Sequence, residues 1–150
     1  MPYRLERSQT LARPLADVFP FFADPRNLAK ITPPWLRFRI QSAGDLTMRE
    51  GLTIEYRVSP FLVPQRWTSR ITVWEPPHRF VDEQLRGPYR SWHHLHEFRE
   101  VDGQSEIVDR VTYELPLGPA GRVAHALLVR RQLEAIFDFR EQAVRRLLVV

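Results

Sequence analysis

From residue 36 to residue 115 the chain alternates between apolar and polar side chains, and this period of two constrains the fold more than any other feature. Leu36, Phe38 and Ile40 alternate with Arg37, Arg39 and Gln41. Leu52, Ile54, Tyr56 and Val58 alternate with Thr53, Glu55 and Arg57, and Trp67, Ser69, Ile71 and Val73 alternate with Thr68, Arg70 and Thr72. Successive side chains of a strand point to opposite faces, so clean alternation describes an antiparallel sheet with one covered and one wet face. Turn residues punctuate the run at Gly44-Asp45, Pro60 to Pro64, Pro76-Pro77, Gly87-Pro88 and Asp102-Gly103. Phe61-Leu62-Val63, apolar yet placed in a connection, is either a loop tucked onto the core or part of a cavity rim.

Asp102-Gly103 is a strong signal for a two-residue hairpin, and it sets a register. If Val101 pairs with Gln104, Phe98 faces Ile107, His96 faces Asp109, His94 faces Val111 and Trp92 faces Tyr113. One face of this hairpin then carries Trp92, His94, His96 and Phe98 beside Ile107, Val111, Tyr113 and Leu115. Two aromatics and two imidazoles make a good cavity wall and a poor dry core. Asp109 falls on that apolar face, and burying a carboxylate alone is expensive, so a hydrogen bond to His96 is the expected solution. At Gly87-Pro88 the turn length decides what comes next. A two-residue loop points Val81, Glu83 and Leu85 inward; a looser three-residue loop points Phe80, Asp82 and Gln84 inward. Pro88 cannot donate a ladder hydrogen bond and favours the looser turn.

Helices flank this sheet. Tyr3 to Thr10 reads as a first strand, after which Leu15, Val18, Phe19 and Phe22 recur at helical spacing. Asp24-Pro25 opens a second short helix with Leu28 and Ile31 on its apolar side, and Pro33-Pro34 ends it. Beyond the break at Pro116, Gly118, Pro119 and Gly121, a long helix runs to the C-terminus. Val129, Leu133, Ile136, Phe137, Ala143, Val144 and Leu147 form its apolar face. Val123, Ala124, Leu127 and Leu128 point nearly the other way, so the helix either bends near Val129 or exposes an apolar patch. Such a patch suits a pocket mouth, a partner, or a second copy of the chain in a homodimer. Arg140 projects from the middle of the apolar face, either snorkelling outward or reaching inward to Asp109, Asp82 or an acidic ligand group. The expected class is α+β: two short helices after the first strand, and a bent antiparallel sheet of about seven strands wrapped on the long helix.

Composition narrows the function. At 150 residues, 43% hydrophobic and 27% charged, the chain is expected to form one domain over 1–150 with a real core. No apolar run approaches the ~18 residues of a membrane span, and no signal peptide is expected, so the expected location is cytoplasmic. Without cysteine there are no disulfides, thiol nucleophiles or cysteine zinc sites. The net charge of +4 comes from scattered arginines, with Lys30 the only lysine, and no basic stripe or reader motif marks a nucleic-acid partner.

Three segments carry a resemblance: Pro77 to Gln84, Gly87 to Phe98, and Asp109 to Gly118. With the element order, they make the chain similar to the helix-grip proteins of the START / Bet v1-like superfamily (SRPBCC), and to a bacterial, polyketide cyclase/dehydrase-like branch of ligand-binding domains. The resemblance covers nearly the whole chain. It implies a deep apolar pocket for a lipid, polyketide or similar hydrophobic molecule. It does not imply catalysis, because one fold hosts carriers, enzymes and interaction modules.

The expected ligand-contacting set is Trp67, Ser69, Asp82, Gln84, Trp92, His94, His96, Phe98, Asp109, Tyr113 and Arg140. If the protein is an enzyme, His96 and Asp109 would be the acid–base pair of a cofactor-independent cyclase or dehydratase. No nucleophile elbow, phosphate loop or dinucleotide fingerprint is present, and no cofactor is expected. His94 and His96 at i, i+2 can share a metal with Asp82 or Asp109, but two histidines are a weak signal and the expectation is no metal.

Overall fold

The computed structural model describes residues 2–149. Seven strands make one antiparallel sheet: β1 (Tyr3–Leu11), β2 (Arg39–Ile40), β3 (Thr53–Val58), β4 (Gln65–Glu75), β5 (Arg79–Arg86), β6 (Ser91–Val101) and β7 (Gln104–Glu114). Their order is β1-β7-β6-β5-β4-β3-β2, so β2 to β7 pair with sequence neighbours and only β1 is brought in from a distance. The helical elements are α1 (Leu15–Phe22), a 3-10 segment (Pro25–Ile31), α2 (Gly118–Ala124), a π-helical turn (His125–Val129) and α3 (Arg130–Leu148). This is the α+β helix-grip arrangement, with the curved sheet wrapped around the C-terminal helix. No helix among the described residues is long and apolar enough to cross a membrane.

Local chemistry explains the boundaries. The Asp24 carboxylate accepts the Arg26 backbone N–H at 3.0 Å, and Pro25 occupies the first helical position. The strand expected from Leu36 is shorter than its alternation suggests. Pro34–Leu36 instead forms a 3-10 turn, and Arg37 at φ 51 takes the left-handed conformation, so pairing begins only at Arg39.

The Asp-Gly hairpin has the register read from sequence: Val101 pairs with Gln104, and Phe98, His96, His94 and Trp92 lie opposite Ile107, Asp109, Val111 and Tyr113. Asp82 lies opposite His94 and Phe80 opposite His96, which leaves Gly87, Pro88 and Tyr89 between the strand register positions. The looser turn is the one adopted, and Asp82 therefore shares the inner face with both histidines.

Between sheet and helix the core divides in two. One cluster joins Phe98, Ile107, Phe80 and Ile71 of the sheet to Leu15, Val18 and Phe19 of α1 and to Ala143, Val144 and Leu148 of α3. The smaller one joins Val111 and Tyr113 to Val129, Leu133 and Phe137. A polar band separates them. His94 and His96 lie between Trp92 and Phe98 on β6, Asp109 lies between Ile107 and Val111 on β7, and Arg140 lies between Phe137 and Ala143 on α3.

The C-terminal helix resolves the two opposed apolar faces. The π turn inserts one extra residue, which rotates the downstream face by about 100° relative to a continuous α-helix. Val129 onward can then face the core, while Val123, Leu127 and Leu128 stay exposed, the last two at 61% and 55%. The expected apolar patch is exposed, a π insertion accounts for the change of face, and at the C-terminal end Leu148 is buried in place of the expected Leu147, which is exposed.

Candidate functional site

A cavity of about 450 Å³ lies between the sheet and α3. Its sheet wall is Ile54, Tyr56, Trp67, Trp92 and Phe80, and its helix wall is Val129, Leu133, Ile136 and Phe137. Phe61 and Val63 line it while half exposed, which makes the 60–63 connection a cavity rim and not a loop tucked onto the core. Wall polar groups are largely satisfied among themselves. Trp67 Nε1 donates to Ser69 Oγ at 2.9 Å, and the Tyr56 hydroxyl lies 3.1 Å from the same oxygen.

Asp82, His94, His96 and Arg140 bring charge to this apolar lining. The imidazoles of His94 and His96 stack with centroids 3.7 Å apart, and Phe80 stacks on the outer side of His96 at 4.2 Å. His94 Nε2 donates to Asp109 Oδ1 at 2.8 Å, and His96 Nε2 donates to Asp82 Oδ2 at 2.6 Å. The carboxylates have no proton to give, so each imidazole places its hydrogen on Nε2. Arg140 Nη2 reaches Asp109 Oδ1 at 3.4 Å from the helix side, its guanidinium 5.8 Å from the centroids of Phe22 and Phe137.

The expected His96–Asp109 hydrogen bond is thus exchanged for two diagonal ones. Asp109 faces His96 in register but bonds His94; Asp82 faces His94 but bonds His96. Diagonal neighbours across antiparallel strands are within reach of long side chains, and strand twist favours one diagonal over the other. The directly opposed pairs are longer, at 3.5 Å for His96 Nδ1 to Asp109 Oδ1 and 3.7 Å for His94 Nδ1 to Asp82 Oδ2. His96 Nδ1 is buried with no hydrogen-bond partner.

Electrostatics follow from burial set against these partners. Burial pushes Asp109 up, but Arg140 and the His94 hydrogen bond outweigh it and hold its carboxyl well below the usual range. Burial likewise opposes ionisation of Asp82, and the His96 hydrogen bond, with the adjacent imidazoles and Arg140, overcomes it. Burial, with His94 alongside, pushes His96 down from 6.5 to about 4 against the opposing pull of Asp82. At neutral pH the cluster is two carboxylates, one guanidinium and a neutral His96.

Of the residues singled out from sequence, Trp67, Ser69, Asp82, Trp92, His94, His96 and Arg140 line the cavity. Four are placed elsewhere. Gln84 spends its amide on the turn, donating from Nε2 to the Tyr89 carbonyl at 2.7 Å and accepting the Tyr89 N–H at 3.2 Å. Phe98 packs among Phe19, Phe22 and Phe80 in the dry core. Asp109 sits behind the histidines, outside the cavity lining. Tyr113 has its hydroxyl 2.7 Å from His125 Nε2, and Tyr3 stacks on that imidazole at 3.5 Å. Sequence reasoning missed Tyr56, Tyr89 and Ile136 as lining residues. Tyr56 and Ile136 were legible as inward positions of their elements, whereas Tyr89 and the core position of His125 depend on a turn and a π insertion that no spacing reveals. Asp82, His94 and His96 offer ligand atoms within 4.8 Å of one another, a set able to hold a metal ion.

No curated protein matches the chain in sequence. Many solved structures share the fold. The Zhui aromatase/cyclase from a Streptomyces strain superposes with a TM-score of 0.70 at 18% identity, over 98% of this chain and 96% of its own. A norcoclaurine synthase variant from Thalictrum flavum gives 0.71 at 13% identity, over 99% and 94%. A START superfamily protein from Mycobacterium smegmatis gives 0.67 at 11% identity, over 96% and 98%. The family model described as "Polyketide cyclase / dehydrase and lipid transport" matches residues 2–148. With nearly its whole length matched, the chain belongs to this polyketide cyclase / dehydrase and lipid transport family.

Proposed function

We propose that the protein binds an apolar or amphipathic small molecule, a lipid or polyketide in character, in the cavity between sheet and α3. The observation that carries this reading is the cavity itself. Its volume of about 450 Å³ lies within the range of small-molecule sites, and its walls are aromatic and aliphatic. The charged groups gather at one place in that wall, so a ligand with one polar end would be held in one orientation. Native mass spectrometry after gentle purification, with a fatty-acid and polyketide panel, tests it. Trp67 and Trp92 line the cavity and supply a fluorescence readout. Ile136→Trp places bulk into the cavity and is expected to weaken binding at least about tenfold. No adduct with any panel member, or an Ile136→Trp protein that binds like the parent, overturns the proposal.

A second reading, a cyclase or dehydratase, is favoured by one feature: His96 and Asp82 are hydrogen-bonded at 2.6 Å and both line the cavity. A neutral imidazole held by a carboxylate is suited to moving a proton on a bound carbonyl compound. On this reading Asp82, not Asp109, is the carboxylate that works with His96. Turnover of a panel polyketide that survives His96→Ala unchanged removes it.

A further inference from the structure

We propose that Asp82, His94 and His96 form a binding site for a divalent transition-metal ion, with Asp109 as the outer carboxylate that orients both imidazoles. The proposal goes beyond the ligand-binding reading and does not depend on it. Sequence spacing alone supplies two imidazoles, too few for a site, whereas the β5 register adds Asp82 as the third donor.

The geometry leaves a place for a cation. His94 Nδ1 lies 3.7 Å from Asp82 Oδ2, and His96 Nδ1, buried and without a hydrogen-bond partner, lies 3.5 Å from Asp109 Oδ1. A metal held by Asp82 Oδ2, His94 Nδ1 and His96 Nε2 draws on donor atoms that already lie within 4.8 Å of one another. His94 Nδ1 then faces the ion, and His96, ligating through Nε2, carries its hydrogen on Nδ1. That hydrogen is directed at Asp109, so the buried atom without a partner gains one. Asp109 would accept from both imidazoles, the carboxylate–histidine–metal arrangement that fixes ring orientation at metal sites.

Charge and geometry agree with this. Asp82 and Asp109 bring two largely buried carboxylates to the cluster against the single guanidinium of Arg140. Tetrahedral ligands about 2.0–2.1 Å from an ion stand about 3.3 Å apart, so Asp82 and His96, now at 2.6 Å, must separate, and the stacked imidazoles, 23° apart in plane, must turn until both nitrogens face one point. His94, His96 and Asp82 line the cavity and Asp109 does not, so further coordination positions open into the cavity. Two imidazoles and one carboxylate with an open position suit zinc or iron, and the open position takes an oxygen donor.

The test uses the metal alone. Chelator-stripped protein is titrated with Zn²⁺ by calorimetry, and with Co²⁺ followed by its visible bands. One equivalent per chain at micromolar or lower free metal is expected. Asp82→Asn and His96→Gln should each weaken binding by about 100-fold or more, and Asp109→Asn by about 10–100-fold with the Co²⁺ band positions kept. His93→Gln, on the exposed face of β6, should bind like the parent. Should the cluster variants fail to fold, nitrogen-15 imidazole spectra of the parent give the answer directly: the His96 hydrogen should move from Nε2 to Nδ1 on adding Zn²⁺. No bound equivalent, loss of binding in His93→Gln, parental affinity in Asp82→Asn and His96→Gln, or an unmoved tautomer each overturns the proposal.

Discussion

Replacing Arg140 by methionine isolates the cation that the helix delivers to the polar band. Its Nη2 stands 3.4 Å from Asp109 Oδ1, and both side chains are 11% exposed. At that separation and an effective dielectric constant near 20, the attraction is about 5 kcal/mol before solvation is counted. Methionine releases the protein from burying a guanidinium, which returns part of this, and its apolar stem retains packing against Phe22 and Phe137. His94 still donates to Asp109 at 2.8 Å, so the carboxylate is not left bare. The net loss should therefore be about 2–3 kcal/mol, at or below the lower end for breaking a buried pair. Urea unfolding at pH 7, followed by tryptophan fluorescence, should show a lower midpoint at an unchanged slope. The Asp109→Asn background should shrink the Arg140→Met loss by at least about 1 kcal/mol, since no carboxylate then remains to be stranded. An Arg140→Met protein within about 0.5 kcal/mol of the parent, or strictly additive losses, would refute the claim that the pair is coupled.

Two further outcomes follow from the same structure. His96 is lowered from 6.5 to about 4 by burial, so the unfolded chain binds more protons between those values; its contribution is intact above pH 6.5 and is lost as pH falls toward 4. At about 1.4 kcal/mol per tenfold this one group accounts for up to roughly 3 kcal/mol, and His96→Gln should flatten the measured pH dependence of unfolding across that window. A Cβ added at Gly121 would fall on the Pro116 backbone carbonyl, so Gly121→Ala should destabilise by about 1–3 kcal/mol, read as a lower thermal midpoint with the α2 entry disturbed.

What could be read from the residues, and what could not, divides by the range of the interaction. Alternation and an Asp-Gly turn are local, so the β6–β7 register and the inward set Trp92, His94, His96 and Phe98 were legible. Pro88 made the longer turn readable, and with it the side on which Asp82 falls. The hydrogen-bond partners within that face were not legible, because opposition in a ladder fixes backbone neighbours while twist decides which diagonal the side chains close. Arg140 was recognisable as a misfit on an apolar face, but its choice between solvent and Asp109 depends on helix docking. The π turn lay beyond pattern reading altogether: the opposed faces before and after Val129 announced a discontinuity without saying that one inserted residue would absorb it.

The turn at Gly87–Tyr89 has a consequence for how such a site can change. Its three residues set the parity of β5 against β6, and parity alone determines that Asp82, and not Val81 or Glu83, stands beside the histidines. Shortening the turn by one residue while holding β6 in place would present Val81, Glu83 and Leu85 to the interior. Val81 would then stand opposite His94 where there is now a carboxylate, and the only inward carboxylate of β5 would be that of Glu83, moved to face Trp92. In a lineage of such proteins, a single-codon deletion outside the cavity could rewrite the chemistry inside it while every lining position of β6 and α3 kept its residue.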